Sequence, residues 1–442
     1  MNYDECREWL EERRKSMGSV PGLDEVNKLK NLYNNPDRDL KIIHIAGTNG
    51  KGSTGYYLEN ILAKSGIKTG RFLSPWVVDE REIILINSKM IPKTKWAFYL
   101  SNIIETVNKY DLKATAFEIE TVLALNIFKE EGCRAVIMEC GMGGKLDATN
   151  VCENDLVDII TSISFDHMNF LGDTLKDISF HKFGIFKPGS QNLIVAPQKK
   201  EVYEYLKEYI EINDFDENKV VFADISKAKH KTIKKGKISQ TFSYDSYENL
   251  ILSMPGDFQI DNAVTVLETV NVLRNNGFLI KDSAVKKSFE NAIWPCRFEI
   301  IENDKKTYVL DGAHNMDAVE RLFNNLTLYF TKRSFVYIMG MYKDKDYEDV
   351  VKFCTPMAKA VVTVDARDRK RSVDKFELGK LISQYNSNVT SADSYTEAIE
   401  IASLLSEGND IVVIFGSLSF LGEMRDYLNA NNIKKIKSGS VK

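Results

Sequence analysis

Lys51 stands among glycines in Gly47-Thr48-Asn49-Gly50-Lys51-Gly52-Ser53-Thr54, and a lysine in such a turn is equipment for holding phosphate. Glycines at 47, 50 and 52 let backbone N–H groups face a ligand with no Cβ in the way. Before the turn, Lys41–Ala46 is a β-branched run that reads as a short buried strand. After it, Tyr57, Leu58, Ile61 and Leu62 fall on one face of a helix. Strand, glycine turn, lysine and helix N-terminus form an anion site, with donors and helix dipole aimed the same way. The spacing differs from the standard phosphate loop: GxxxxGK[ST] would put glycine at 45, where isoleucine stands, and Gly52 separates Lys51 from Ser53. The competing reading is a glycine-rich turn beside a surface lysine.

Further residues with chemistry sit at strand ends. Cys133–Glu139 is an apolar run that delivers one carboxylate, Glu139, at its C-terminal end, where open α/β sheets bind ligands. Beside a phosphate loop such an acid is suited to hold Mg²⁺. A second run, Asp158–Phe165, ends at Asp166-His167. An amphipathic helix is expected over Leu171–Pro188 and carries Lys182. On a solvated face that lysine is only a charge; buried, it would lose its proton easily and could be carbamylated by CO₂ to give a metal-supporting acid. Asn262 reads as a polar residue near a helix start. Later in the chain, Asp311, His314 and Ser417 each follow a predicted strand, again on the ligand edge.

The elements that must position these residues call for two domains, since 442 residues exceed one ordinary core. The expected division is 1–293, carrying the phosphate loop, and 294–442. Helical stretches flank a Gly18–Leu23 break near the start, and strands are expected at 68–73 and 80–87, then helices at 93–110 and 116–131. Residues 219–252 form a polar, lysine-rich β-like insertion with a turn at 234–236, and no chemistry is assigned to it. From 308 onward strands at 308–310, 335–339, 360–364 and 410–415 alternate with helices, which implies a parallel, doubly wound sheet. A net charge of −4 offers no basic excess for nucleic acid. No apolar run reaches membrane-spanning length and the charged start is not a signal peptide, so the protein is expected in the cytoplasm. The six cysteines lack CxxC or zinc spacing and read as reduced thiols.

Across nearly its whole length the chain resembles the folylpolyglutamate synthase/dihydrofolate synthase family of the Mur-ligase superfamily. The likeness rests on GTNGKGST at 47–54, SPW at 74–76 before ERE, AFE at 116–118, ECGMGGKLDATN at 139–150, SFDHMNFLGDTL at 164–175 and HKFGIFKPG at 181–189. It continues through RFE at 297–299, LDGAHN at 310–315, GMYKDKD at 340–346 and GSLSFLGE at 416–423. The resemblance implies an α/β protein: a P-loop Mur-ligase-type central domain with a small β insertion, then a C-terminal Rossmann-like α/β domain. It implies an ATP-dependent amide ligase in which a pteroate or folyl carboxylate becomes an acyl phosphate and the amine of L-glutamate displaces phosphate. By similarity Thr48, Asn49, Gly50, Lys51, Gly52 and Ser53 hold the nucleotide, joined by Asn262, Arg297 and Asp311. Ser74, Glu139 and His167 match magnesium ligands, and Lys182 matches a carbamylated lysine supporting a second metal. Gly22, Leu23, Thr115, Ala116, Phe117, Glu118, Leu146, Asp147 and Ala148 look like the pterin side. His314 and Ser417 lie towards glutamate, and His314 joins Lys51 and Lys182 as catalytic. The partners implied are small molecules only (folate or dihydropteroate, L-glutamate, ATP), acting on a monomer.

The chain departs from the family pattern at Trp76, where His usually follows Ser-Pro, and at Phe258, Cys296, Met316 and Lys145. None of these removes a phosphate or metal ligand; Trp76 alters the surroundings of Ser74 and bears on dihydropteroate use. The alternatives are a Mur-type ligase with another carboxylate acceptor, a P-loop nucleotide-binding protein without ligation, or a structural paralogue.

Overall fold

The computed structural model describes residues 1–234, 239–303 and 306–439. Eight strands build the first sheet: β1 (Ile42–Ala46), β2 (Thr69–Phe72), β3 (Ile84–Ile86), β4 (Lys89–Met90), β5 (Ala135–Glu139), β6 (Val157–Ile160), β7 (Leu193–Val195) and β8 (Val220–Phe222). Their order is β4-β3-β2-β5-β1-β6-β7-β8, with β3 and β4 antiparallel at one edge and the rest parallel. β1 is buried at all five positions because helices cover both faces of the sheet, which is why it reads as a continuous apolar run. It lies between β5 and β6. The loops leaving those three strands therefore open on one edge, the place where parallel sheets bind ligands. One face packs under the helices Tyr3–Met17, Lys93–Lys109 and Ala116–Glu130, through Leu10, Trp96, Leu100, Ile119 and Leu123. The other packs under Lys51–Lys64 and Phe258–Asn275, through Tyr57, Leu58, Ile61, Val264 and Leu267.

A separate antiparallel sheet follows from β9 (Lys229–Lys234), β10 (Ser239–Tyr244) and β11 (Tyr247–Leu252). The last sheet holds β12 (Glu299–Asn303), β13 (Lys306–Leu310), β14 (Phe335–Met339), β15 (Ala360–Thr363), β16 (Val389–Ser391) and β17 (Ile411–Phe415), ordered β12-β13-β17-β14-β15-β16. All its pairings are parallel except β12 with β13.

Several sequence expectations change in detail. The run 158–165 is strand only to Ile160; beyond it, Thr161–Ser164 leave the ladder to clamp the glycine turn. The helix expected over 171–188 is a short turn Met168–Leu171 and a helix Leu175–Phe183, separated by Gly172 at φ +99° and restarted by a Thr174 cap. Residues 80–87 begin with a 3₁₀ turn, Glu80–Ile83, because Asp79 and Glu82 form a capping box there. The insertion is divided, since β8 joins the first sheet; of its expected turn at 234–236, Lys234 ends β9 and the other two residues lie outside the described residues. The last sheet is not wholly parallel, because Glu299–Asn303 pairs back on β13 as an edge strand. No helix among the described residues is long and apolar enough to cross a membrane.

Candidate active site

The glycine turn is strapped to the exit of β6. Thr48 and Asn49 donate their N–H groups to Ser162 O (2.8 and 3.3 Å), and Thr48 Oγ1 donates to Ser164 O (3.0 Å). Gly47 (φ +151°) and Gly50 (φ +93°) have backbone conformations that L side chains rarely adopt. A Cβ at Gly50 would also stand 2.5 Å from Asn262 Oδ1, which brings that asparagine against the turn. The helix Lys51–Lys64 starts at Gly50 with no side-chain cap, so its first N–H groups remain available to an anion. Lys51 Nζ donates to Gly47 O (3.0 Å) and Thr48 O (3.3 Å), folded over its own loop.

At the end of β5, Glu139 is 6% exposed and accepts no hydrogen bond among the described residues; its nearest cation is Arg71, at 3.9 Å. Burial pushes its carboxyl up, while Lys51, Arg71 and Arg297 pull the other way. A cavity-facing carboxylate without a donor, with the Ser74 hydroxyl and a neutral imidazole on the same wall, is a fitting donor set for Mg²⁺. His167, at φ +53°, is that imidazole: burial pushes its pKa down to about 3. In this arrangement its Nε2 lies 3.3 Å from Lys345 Nζ. Lys182 is 2% exposed and donates to Gly47 O (2.9 Å); burial, with Lys51 nearby, pushes its pKa down to about 7. The buried alternative for this residue therefore holds, although the side chain sits behind the glycine turn and does not line the cavity.

The unit built on the last sheet closes over these groups. Asp166 Oδ1 accepts from Lys345 Nζ (2.7 Å) and Oδ2 from Asn315 Nδ2 (3.2 Å), while Asn49 Nδ2 donates to Asp317 Oδ2 (2.7 Å). Lys345 and the neighbouring histidines hold the Asp166 carboxyl far below its ordinary value. His314 has Nδ1 2.7 Å from Gly312 O; a carbonyl only accepts, so Nδ1 carries the proton and Nε2 keeps its lone pair. Burial and Lys345 push His314 down to about 4, so it is neutral at pH 7. Asp311 has both oxygens engaged by backbone N–H groups, of Phe298 (2.7 Å) and Ala313 (2.8 Å), which fixes the loop leaving β13. The Arg297 guanidinium lies beside Gly312, and Ser417 Oγ is paired with Ser419 Oγ (2.9 Å).

The expected acceptor side is also assembled. Gly22 N donates to Leu146 O (3.4 Å), tying the 18–23 loop to the loop after β5. Asp147 accepts from Met142 N (2.8 Å), Thr149 N (3.0 Å) and Thr149 Oγ1 (2.6 Å). Thr115 and Glu118 form the capping box that starts the helix Ala116–Glu130, so the carboxylates of Asp147 and Glu118 shape the wall through bonds to the chain itself. The ring of Phe117 lies 5.5 Å from that of Phe72, and Leu146 is exposed into the opening.

One cavity of about 1520 Å³ joins the two walls, more than the ~300–1,000 Å³ of an ordinary single-ligand site. Of the residues singled out from sequence, Gly22, Thr48–Ser53, Ser74, Thr115–Glu118, Glu139, Leu146–Ala148, His167, Asn262, Arg297, Asp311, His314 and Ser417 line it. Lys182 and Leu23 do not; Leu23 instead packs on the first core. Sequence reasoning missed Lys345, although its KDKD motif was visible, and Asp166, visible only as the neighbour of His167. It also missed Arg71, a fully buried arginine in β2 that donates to Gly52 O (2.8 Å) and lies 4.4 Å under the ring of Trp294. A second acidic group, His44, Asp155 and Asp158, lies wholly buried behind β1 with Lys187 Nζ 2.7 Å from Asp155. That ammonium already neutralises one of the carboxylates.

With this geometry in hand, known proteins give a consistent comparison. Residues 45–270 match the Mur ligase middle domain and residues 296–418 the Mur ligase glutamate ligase domain. The chain is 31% identical to a dihydrofolate synthase/folylpolyglutamate synthase of Haemophilus influenzae over 86% of this chain and 87% of that one. It is 29% identical to the protein of that name from Bacillus subtilis, over 96% and 99%. Among solved structures, folylpolyglutamate synthase of Mycobacterium tuberculosis complexed with ADP superposes with a TM-score of 0.86 at 26% identity, covering 96% and 98% of the two chains. The Thermotoga maritima folylpolyglutamate synthase gives 0.81 at 28%, covering 97% and 96%. Phosphate turn, facing strand ends and matched domains agree, and the chain belongs to the Mur ligase family, in its folylpolyglutamate synthase/dihydrofolate synthase branch.

Proposed function

We propose that this protein is an ATP-dependent ligase that forms an amide bond between L-glutamate and the carboxylate of a reduced folate, of dihydropteroate, or of both. The observation that carries this reading is the shared cavity, which has a phosphate turn and cation-ready carboxylate on one wall and His314, Arg297 and Ser417 on the other. ATP lies along Thr48–Ser53, with Asn262, Arg297 and Asp311 around it; the acceptor's ring system lies by Gly22, Thr115–Glu118 and Leu146–Ala148. The acceptor carboxylate attacks the γ-phosphorus, ADP leaves, and an acyl phosphate remains. Lys51 and the free N–H groups of the helix start stabilise the charge that spreads over the transferring group. Mg²⁺, held by Ser74, Glu139 and His167, supplies further charge neutralisation when bound. The glutamate amine then attacks the acyl carbon, phosphate leaves, and His314 Nε2 takes the proton released by the amine. At pH 7 that imidazole is neutral and fixed through Nδ1, so the Nε2 lone pair is free to accept, and its lowered pKa means that it passes the proton on readily. Lys182, with a pKa near 7, has a large share of free amine to add CO₂, releasing a proton and leaving a carbamate that supports a second cation.

In this reading residues 1–293 and 294–442 are the two working units. The same reading has the protein acting as a monomer, and six unpaired, buried thiols support a reducing, cytoplasmic setting. The test is ADP release with Mg-ATP and glutamate, offering dihydropteroate and tetrahydrofolate separately. Turnover with either establishes the ligase and shows which acceptor it takes; glutamate-independent release, or none, overturns the reading.

A further inference from the structure

The loop after β15 carries Arg367, Asp368, Arg369, Lys370 and Arg371, and all five line the cavity. In a chain of net charge −4 this is a local concentration of positive charge. Its two ends are pinned. Arg367 lies 4.5 Å over the ring of Trp76, and its N–H donates to Ser419 Oγ (3.3 Å). Arg371 pairs with Asp344 (3.0 Å) and lies 4.7 Å over Tyr342, while Lys343 N donates to Arg371 O (2.8 Å). Between these anchors Arg369 and Lys370 are exposed and have no carboxylate within 4.0 Å among the described residues, and neither has Lys343 beside them. Held ends with free cations between them are unlike an ordinary solvated run, whose charges usually neutralise one another.

We propose that Arg369 and Lys370, with Lys343, form a carboxylate-binding rim for an oligo-γ-glutamate chain already carried by the acceptor, so that this enzyme favours acceptors that are already glutamylated. The inference rests on the folate-ligase reading and goes beyond it. Each ligation turns one carboxylate into an amide and adds two, so the chain gains a negative charge per cycle and can meet one more cation. The contacts of Arg367 with Trp76 and with Ser419 hold this rim beside the Ser74 strand end on one side and Ser417–Ser419 on the other, at the exposed edge of the cavity. The cations are exposed, so their attraction is modest per contact and falls with salt.

The experiment compares KM for tetrahydrofolate monoglutamate and pentaglutamate, for glutamate and for ATP, in the full-length protein and in Arg369→Ala/Lys370→Ala. Both positions are exposed, and a thermal melt matching the parent shows that the fold is kept. The expected result is a rise of roughly three- to tenfold in KM for the pentaglutamate, with the other constants unchanged and a weaker salt dependence of the pentaglutamate KM. Equal effects on both acceptors, no effect, a rise in the KM for free glutamate, or a parent enzyme that ligates only dihydropteroate each overturn the rim. Failure of the underlying reading looks different: the parent protein then releases no glutamate-dependent ADP with any acceptor.

Discussion

Arg71→Met is the substitution for which the structure gives the largest worked consequence. The guanidinium is fully buried, 3.5 Å from Glu59, itself fully buried, and 3.9 Å from Glu139. It makes one good hydrogen bond, to Gly52 O, while its Nε and Nη1 and Glu59 Oε2 have none. Burial pushes Glu59 up and Arg71 down, so in both partners loss of water outweighs their attraction. Such a pair adds little net stability, yet breaking it is costly, because methionine leaves a carboxylate in the core with no cation; the expected loss is about 3–5 kcal/mol. Arg71→Met/Glu59→Gln removes both charges while the amide can still accept from Ser88 N, as Glu59 does at 2.5 Å. That double variant should regain all but about 1 kcal/mol. Glu59, with a raised folded-state pKa, contributes stability below its unfolded pKa and loses it as pH rises through the folded one. The single variant should therefore be weaker at pH 8 than at pH 5. Urea unfolding of the full chain, followed by tryptophan fluorescence, measures the cycle. A single variant within about 1 kcal/mol of the parent, or a double variant showing the sum of two losses, refutes the account.

Lys51→Ala should abolish ADP release while the urea midpoint stays near the parent's, since Lys51 bonds only to its own loop; retained turnover removes the nucleotide assignment. Lys182, pushed from 10.5 to about 7, is deprotonated in the folded chain while the unfolded chain still holds its proton between those values, so its contribution to stability grows as pH rises from 7 towards 10.5. Lys182→Met should flatten that slope and make activity insensitive to added bicarbonate; an unchanged slope contradicts the assignment. Trp76→Ala removes the contact with Arg367 at 4.5 Å, about 0.5–1 kcal/mol, and should raise the acceptor KM about two- to fivefold with the ATP KM unmoved. An equal shift in the ATP KM would place Trp76 on the nucleotide side instead.

What could be read from sequence was what the chain keeps local. The phosphate turn is one strand, three glycines and one helix start, all within Ile42–Lys64, and each leaves a composition signal. Glu139 announced itself in the same way, as the lone carboxylate at the end of an apolar strand. The misjudged lengths have local causes too, but in polar contacts that hydrophobic period does not record. Thr161–Ser164 look like strand, yet their polar groups go to the glycine turn and to Gln198, and Gly172 interrupts a helix whose apolar spacing continues across it.

The closure of the site had no such signal, because its partners are far apart along the chain. Asp166 meets Lys345 across 179 residues, and Asn49 meets Asp317 across 268. A lysine in a KDKD run reads as solvated charge until a buried aspartate faces it. The same reasoning separates the two kinds of departure from the family pattern. Cys296, at φ +57° and buried, is absorbed within its own turn at the junction, where its N–H donates to Glu299 (2.9 Å). Trp76 is not absorbed locally: its ring is met by Arg367 from the other sheet. A substitution on one wall is thus coupled to a cation on the opposite wall, so acceptor preference in this chain should be set by the pair. Exchanging Trp76→His alone would leave Arg367 without its ring, and restoring the usual residue at 76 should not by itself restore the preference that usually goes with it.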